Sequence, residues 1–289
     1  MNLLKISDLS EDKVKKIFAT ADEAKLLRRD LCACIAETKV LANLFFEPST
    51  RTRLSFDTAM KGLGGQVISV ENGESSSTKK GETLYDTLMT VAQYADVIVT
   101  RTNDRLDAKE LKSIPVPVIN GGDGKYEHPT QALLDFYTIR SYFKDHFSIL
   151  FLGDLKYGRT VHSLMQLLAR YDCKIYHHCP ENLPPYLVGL SEEAKPTEWK
   201  TVLSQVDVVY CCREQKERTE YDVENYAAEY GLADCKPRFL KEDAIVLHPL
   251  PRGEEIPTHY DNDHRSKYFE QAKNGVYVRM GILIDALEM

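Results

Sequence analysis

The sequence FFEPSTRTRLSF, residues 45–56, places three hydroxyl residues and two arginines between an apolar run and an amphipathic segment. Pro48 and Ser49 are typical of a turn and a helix cap, so a helix is expected to begin here, directly after a strand. The positive end of a helix dipole favours acidic residues, whereas Arg51 and Arg53 in the first turn cost stability unless an anion neutralises them. The stretch therefore predicts an anion-binding helix N-terminus; a solvated, capped helix start is the alternative.

The composition narrows the class of protein. A chain of 289 residues has room for one large domain or two of moderate size, and 43% hydrophobic with 28% charged residues is ordinary for a globular fold. The net charge of -7 argues against a general nucleic-acid binder. No apolar run approaches the ~20 residues that span a bilayer, and residues 1–18 lack the apolar block of a signal peptide. We expect a cytoplasmic protein with a small anionic ligand and neither nucleic acid nor membrane as partner.

The cysteines indicate reduced thiols rather than disulfides. They are Cys32, Cys34, Cys173, Cys179, Cys211, Cys212 and Cys235. Their number is odd, no C-x-x-C pair occurs, and most lie in apolar runs. A metal site at His177, His178 and Cys179 is disfavoured because adjacent residues on a strand point to opposite faces. We expect no metal.

Short β-branched runs alternate with helical segments along the chain, which is typical of βαβ units and parallel sheets. The predicted strands are residues 39–46, 66–70, 96–101 and 115–120, then 147–154, 173–179, 207–213 and 244–250. The expected fold is α/β, with two similar-sized domains, each a parallel sheet flanked by helices, joined by two crossing helices. We place the first domain at 1–135 and the second at 136–272, with an apolar helix at 273–289 packing back on the first. The polar stretches 70–81 and 214–238 are candidate mobile loops.

Ligands of open parallel sheets bind beyond the carboxyl ends of the strands. Arginines follow or end four predicted strands, and a histidine follows a fifth. These residues are Arg51, Arg101, Arg159, Arg213 and His128. Their recurrence at corresponding places predicts a cationic cleft between the two halves.

The residue types leave structural alternatives open. His128 could cap the helix that begins at Pro129, and Arg159 and Arg213 could form surface ion pairs. Ser76 and Lys80 could belong to a plain polar loop. An oxidoreductase fits poorly, because the glycines at 62–65 precede a strand instead of following one, and GDLKYG at 153–158 departs from the dinucleotide fingerprint. A non-catalytic scaffold is the third alternative.

The motif at 45–56 resembles the carbamoyl-phosphate signature of the aspartate and ornithine carbamoyltransferases. The resemblance continues through HPTQ at 128–131, GDLKYGRT at 153–160, REQKER at 213–218 and HPLPR at 248–252. It covers essentially the whole chain. Pro249 stands where ornithine enzymes typically carry cysteine, and the Arg-x-Gln at 213–215 suits an anionic amino acid, so the aspartate type is favoured over the ornithine type. By this resemblance the protein is expected to carbamoylate L-aspartate, an early step of pyrimidine biosynthesis, without a cofactor.

The resemblance also implies a role for each site residue. The carbamoyl-phosphate group comprises Ser49, Thr50, Arg51, Thr52, Ser76, Lys80, Arg101, His128, Gln131, Leu250 and Pro251. The aspartate group comprises Lys80, Arg159, Arg213 and Gln215. Catalysis is expected from Arg51, Thr52, Lys80, Arg101 and a neutral His128. Glu47 and Pro48 are expected outside the substrate contacts.

In the family, the serine and lysine of the loop that contains Ser76 and Lys80 reach a neighbouring subunit's site, which implies a homotrimer with shared active sites. A regulatory chain or another enzyme of the pathway is a further candidate partner.

Overall fold

The chain forms two compact units, each built on one parallel sheet. The computed structural model describes residues 2–26, 34–71, 81–185, 195–196, 198–218 and 223–289. Unit 1 comprises Met1–Leu133 with Lys273–Met289, and unit 2 comprises Leu134–Ala272. The predicted α/β class with two domains is confirmed.

Unit 1 contains a four-stranded parallel sheet in the order β2-β1-β3-β4. Its strands are β1 (Val40–Phe45), β2 (Gln66–Glu71), β3 (Val97–Thr102) and β4 (Val118–Asp123). Its helices are α1 (Glu11–Leu26), α2 (Thr50–Gly62), α3 (Leu84–Val91) and α4 (Ala108–Leu111). The helix α5 (Pro129–Tyr142) begins in unit 1 and ends in unit 2.

Unit 2 contains a five-stranded parallel sheet in the order β7-β6-β5-β8-β9. Its strands are β5 (Phe147–Leu152), β6 (Cys173–His178), β7 (Lys195–Pro196), β8 (Val208–Cys211) and β9 (Ile245–Leu247). Its helices are α6 (Arg159–Leu168), α7 (Trp199–Val202) and α8 (Tyr226–Glu229). The helix α9 (Tyr268–Ala286) begins in unit 2 and ends in unit 1.

The central strands are mostly buried because helices cover both faces of a parallel sheet. In β5, five of the six residues are buried, and β8 is buried throughout. The unit 1 core contains Leu44, Ile98 and Val118, and the unit 2 core contains Leu150 and Trp199. The sheets are therefore rigid supports whose strand ends fix the loops that follow.

The C-terminal part of α9 lies against the helices of unit 1. Lys13 Nζ lies 3.2 Å from Asp285 Oδ2, and Arg279 donates to Ser55 Oγ at 2.9 Å. Arg279 therefore connects α9 to α2, the helix that begins at the predicted anion-binding motif.

One sequence-based expectation is corrected here. Strand β4 lies at Val118–Asp123 rather than at 115–120, because Pro115 and Pro117 have no backbone N–H to donate to the sheet. The predicted loop at 214–238 contains two short elements among its described residues 223–238, α8 and a 3₁₀ turn at Pro237–Phe239. The predicted loop at 70–81 lies mostly outside the described residues. Within the described residues, none of the helices has the length and apolar character needed to cross a membrane.

Candidate active site

The N-terminus of α2 carries the hydroxyl and arginine residues of the stretch at 45–56. Ser49 is the N-cap residue in an extended conformation, and its side chain makes no capping hydrogen bond. The first turn contains no acidic residue. Thr50 and Arg51 are exposed, whereas Thr52 is buried. The N-terminus of a helix, with its backbone N–H groups and exposed cationic and hydroxyl side chains, has the chemistry of an anion site.

Arg101 lies near the end of β3, beside the loop that leads into α2. Phe45 pairs with Arg101 in the parallel register, and Phe46 N donates to Arg101 O at 2.9 Å. The Arg101 guanidinium donates to Glu47 Oε1 at 2.6 Å and to Gly121 O at 3.4 Å. These hydrogen bonds fix the orientation of the Arg101 guanidinium. Its positive charge lies at the carboxyl ends of β1, β3 and β4.

His128 lies just before α5 and faces the start of α2. Its Nε2 is 3.4 Å from Thr52 Oγ1, and both residues are 4% exposed. The His128 carbonyl accepts the Gln131 N–H at 3.0 Å, in the first turn of α5. The structure therefore brings Thr52 and His128 together across 76 positions of sequence, at the same sheet edge as Arg101.

In unit 2, the ends of β5 and β8 are adjacent. Cys212 N donates to Leu152 O at 2.9 Å, so the two chains leave the sheet side by side. The Asp154 carboxylate accepts Gln215 N at 3.2 Å and Tyr157 N at 3.0 Å. Burial raises the pKa of Asp154, although these backbone hydrogen bonds act in the opposite direction. The Asp154 carboxylate therefore connects the loop after β5 to the loop after β8 through these hydrogen bonds.

Arg159 and Arg213 extend from these two loops. Arg159 is the first residue of α6 and is 4% exposed. Arg213 is half-buried and donates to Glu217 Oε2 at 3.0 Å and to Gln215 Oε1 at 3.4 Å. The hydrogen bond to Glu217 is the main reason that the pKa of Arg213 is raised. Arg213 therefore stays cationic and is held next to Gln215.

Hydrogen bonds of the buried His248 ring hold the loop after β9 in place. Leu250 N donates to His248 Nδ1 at 2.8 Å, so the ring proton is on Nε2, which donates to Glu255 Oε1 at 2.9 Å. Leu250 has a φ of 57° and precedes Pro251 through a cis peptide bond. Pro251 and Arg213 line the same open cavity of about 930 Å³ in unit 2.

A second buried chain of hydrogen bonds reaches the same loop. Gln271 Oε1 accepts His248 N at 3.0 Å, and its amide donates to Asp135 Oδ1 at 2.5 Å. Asp135, which is fully buried, also accepts the Tyr210 hydroxyl at 2.7 Å. The backbone at 248–251 is therefore tied to α5 and β8.

Sequence reasoning missed several residues of these supports. Glu47 was expected outside the substrate contacts, yet its carboxylate holds Arg101. Asp154 and Arg252 lie in the motifs at 153–160 and 248–252, which by themselves predict no role for either side chain. Arg252 pairs with Asp261 and donates to its Oδ2 at 2.6 Å. Ser76 and Lys80 lie outside the described residues.

Two family models match the chain over nearly its whole length. The aspartate/ornithine carbamoyltransferase carbamoyl-P binding domain matches residues 1–141, and the Asp/Orn binding domain of the same family matches residues 145–285. The chain belongs to the aspartate/ornithine carbamoyltransferase family. The resemblance drawn from the five motifs is confirmed.

Curated carbamoyltransferases are similar to the chain from end to end. The aspartate carbamoyltransferase catalytic subunit of Picrophilus torridus is 43% identical over 293 residues, covering 98% of this chain and 96% of the relative. That of Archaeoglobus fulgidus is 42% identical over 295 residues, covering 99% of both.

Solved carbamoyltransferase structures share the fold. The catalytic subunit of M. Jannaschii aspartate transcarbamoylase has a TM-score of 0.89 at 37% identity, covering 99% of this chain and 98% of that one. Aspartate transcarbamoylase from Trypanosoma cruzi, in complex with carbamoyl aspartate and phosphate, has a TM-score of 0.88 at 35% identity, covering 98% and 94%.

Proposed function

We propose that the protein transfers the carbamoyl group of carbamoyl phosphate to the amine of L-aspartate, giving N-carbamoyl-L-aspartate and phosphate in pyrimidine biosynthesis. The observation that carries the proposal is the approach of Thr52 to His128, 3.4 Å apart, at the N-terminus of α2. Two neutral donors beside exposed hydroxyl and arginine groups suit a ligand with a phosphate and a polarisable carbonyl. The relatives named for the aspartate reaction support the choice of substrate.

The phosphate is assigned to the first turn of α2. Ser49, Thr50 and Arg51 offer hydroxyl, backbone and guanidinium donors at the positive end of the helix. Arg51 would neutralise charge on the leaving phosphate. The first turn itself contributes no acidic side chain that would repel the phosphate.

The carbonyl oxygen of the substrate is assigned to Thr52, Arg101 and His128. Negative charge grows on this oxygen as the amine attacks, and donors that are fixed beforehand stabilise that charge most effectively. The burial of Thr52 and His128 strengthens their hydrogen bonds, since little water competes. His128 acts here as a neutral donor, not as a general acid.

The substrate NH₂ group is assigned to Gln131 and to the backbone carbonyls of Leu250 and Pro251, following the family's motifs. The hydrogen bond from Leu250 N to the His248 ring supports this use, because it holds the turn that presents those carbonyls. Ser76 and Lys80 complete the proposed set from outside the described residues.

The two carboxylates of L-aspartate are assigned to Arg159 and Arg213, with Gln215 beside the second and Lys80 as a further cation. Planar guanidinium groups bind carboxylates in a bidentate fashion, which a dianionic amino acid can exploit twice. The Trypanosoma cruzi relative has also been solved in complex with N-(phosphonacetyl)-L-aspartic acid, a compound that joins an aspartate to a phosphonate.

The chemical step is a direct transfer. The uncharged amine of aspartate attacks the carbonyl carbon, a tetrahedral oxyanion forms, the C–O bond to phosphate breaks, and the departing phosphate takes up the proton that the amine loses. The protein contributes orientation of two anions that repel each other and electrostatic stabilisation of the oxyanion. These roles need no cofactor and no metal.

We further propose a cytoplasmic homotrimer in which Ser76 and Lys80 serve a neighbouring subunit, with a regulatory chain or another enzyme of the pathway as candidate partner. Mixing Lys80→Ala and Arg51→Ala subunits tests the sharing of sites. Some recovered activity is expected, since a mixed trimer contains sites that lack neither residue. No recovery in mixed trimers, their composition checked by mass spectrometry, would exclude shared sites.

Amine specificity tests the proposed reaction. Carbamoyl phosphate is supplied with L-aspartate, L-ornithine or N-acetyl-L-ornithine, and the carbamoylated product is identified by mass spectrometry. Product from aspartate alone is expected, with Arg213→Met losing it and Arg238→Met, an exposed cation of the same unit, retaining it. Preference for ornithine would overturn the roles of Arg159, Arg213 and Gln215.

A further inference from the structure

The hydroxyl of Tyr226 lies between two backbone segments that leave the sheet of unit 2. It accepts the Asp154 N–H at 2.6 Å and donates to Cys212 O at 2.8 Å. Tyr226 is 8% exposed. Burial raises the pKa of Tyr226 well above its usual range, and nearby Cys212 and Asp154 add to this effect, so the hydroxyl keeps the proton that it donates.

The segments joined by this hydroxyl are the ones that carry the proposed aspartate-binding groups. Asp154 follows β5 by one residue and accepts Gln215 N with its carboxylate. Cys212 follows β8 directly and is bonded to Arg213. The hydroxyl oxygen of Tyr226 therefore links the backbone of Cys212, next to Arg213, to the backbone of Asp154, whose carboxylate accepts Gln215 N.

The surrounding backbone is shaped to admit the hydroxyl. Gly153 has a φ of 109°, and a Cβ atom at this position would lie 2.4 Å from the Tyr226 hydroxyl and 2.3 Å from Cys212 O. Only glycine fits there without displacing the contact. On the other side, Asn225 precedes Tyr226 in the left-handed region with a φ of 51°. Asparagine tolerates this conformation better than most residues.

We propose that Tyr226 is a positioning residue for the amino-acid substrate. It holds the turns after β5 and β8 at a fixed separation, and so fixes Arg213 and Gln215 relative to each other. This inference rests on the proposed function for the identity of the ligand, but the geometric claim concerns only this chain.

The test is Tyr226→Phe, which removes one oxygen atom and keeps the ring. The KM for L-aspartate is expected to rise ~10-fold or more, the effect of losing buried hydrogen bonds. The affinity for inorganic phosphate, measured by calorimetry, is expected to stay within about 2-fold, because its proposed ligands lie in unit 1.

Tyr260→Phe is the matched control. Tyr260 is fully buried in the same unit, and its hydroxyl donates to a backbone carbonyl, that of Cys235, at 3.0 Å. Its loss is expected to lower the melting temperature while leaving the KM for aspartate unchanged. Gly153→Ala disturbs the Tyr226 contact from the opposite side and is expected to reproduce the defect of Tyr226→Phe.

Amide hydrogen exchange provides a readout that does not depend on the reaction. Exchange at Asp154 is expected to accelerate in Tyr226→Phe and not in Tyr260→Phe. If the wild-type protein carbamoylates aspartate but Tyr226→Phe has an unchanged KM, the inference is overturned and the proposed function stands. If the wild type does not use aspartate, the proposed function fails. Unchanged exchange at Asp154 would then overturn the positioning role as well.

Discussion

Replacing Arg101 by methionine removes one positive charge and leaves the other residues of the proposed site in place, so the contribution of this charge can be measured. The guanidinium is 13% exposed and is held by Glu47 and by Gly121 O, so its position before the substrate arrives is fixed. A unit charge about 4 Å from a substrate oxygen is worth ~4 kcal/mol at the effective dielectric of a protein surface. At ~1.4 kcal/mol per factor of ten, kcat/KM for carbamoyl phosphate is expected to fall ~10³-fold.

The assay is steady-state carbamoyl transfer at saturating aspartate with carbamoyl phosphate varied. Arg105→Met is the control, because Arg105 is an exposed arginine four positions further along the chain and its loss changes the net charge equally. A loss below ~10-fold in Arg101→Met, far short of the Coulomb value, would refute the assignment. So would an equal loss in Arg105→Met.

Three further predictions concern groups that hold the site. The carboxyl of Glu255 is buried, which raises its pKa, but the hydrogen bond from His248 and other contacts outweigh burial and lower it. Its stabilisation is therefore present above pH ~4.3, the unfolded pKa, and lost as the pH falls through the lower folded value. Glu255→Gln should cost about 1–3 kcal/mol of unfolding free energy at pH 7 in urea titrations, and a deficit that persists undiminished at pH 3 would contradict this. Asp135→Ala leaves two buried donors unpaired and should lower stability by about 2–5 kcal/mol in the same assay, whereas a loss under ~1 kcal/mol would contradict the buried hydrogen bonds. Glu47→Gln removes a negative charge beside Arg101 and should bind inorganic phosphate up to ~10-fold tighter by calorimetry; weaker binding would mean that orientation of Arg101 outweighs charge.

Much of the fold was predictable because the local pattern and the global fold agree. Strands β1 and β5 are apolar runs that a sheet covered on both faces requires. The limits of β4 were not predictable from β-branched content, since two prolines remove its expected start and Gly121 and Gly122 extend its end. A register shift between Thr100 and Thr102 accompanies this extension, and it depends on the pairing with β3.

The groups that support the proposed site were harder to predict than the site itself. His128 lies in a motif and Arg101 ends a predicted strand, but the partner of Arg101 is 54 positions away and the contact from Tyr226 to Asp154 spans 72. Single side chains at such distances leave no periodic signal in one sequence. The local hint of the Tyr226 contact was Gly153, followed by an aspartate. A glycine indicates a position where another group comes close to the backbone.

If the first turn of α2 binds the proposed anion, Arg51 would link substrate supply to the lifetime of the protein. With no acidic residue there, the helix end is less stable empty than filled. A ligand at a hundred times its dissociation constant adds about 2.7 kcal/mol to the folded state. Cells that exhaust the anion would hold a larger unfolded fraction, which proteases remove. The helix that is proposed to bind the phosphate would thereby also report the abundance of the substrate to the machinery of protein turnover.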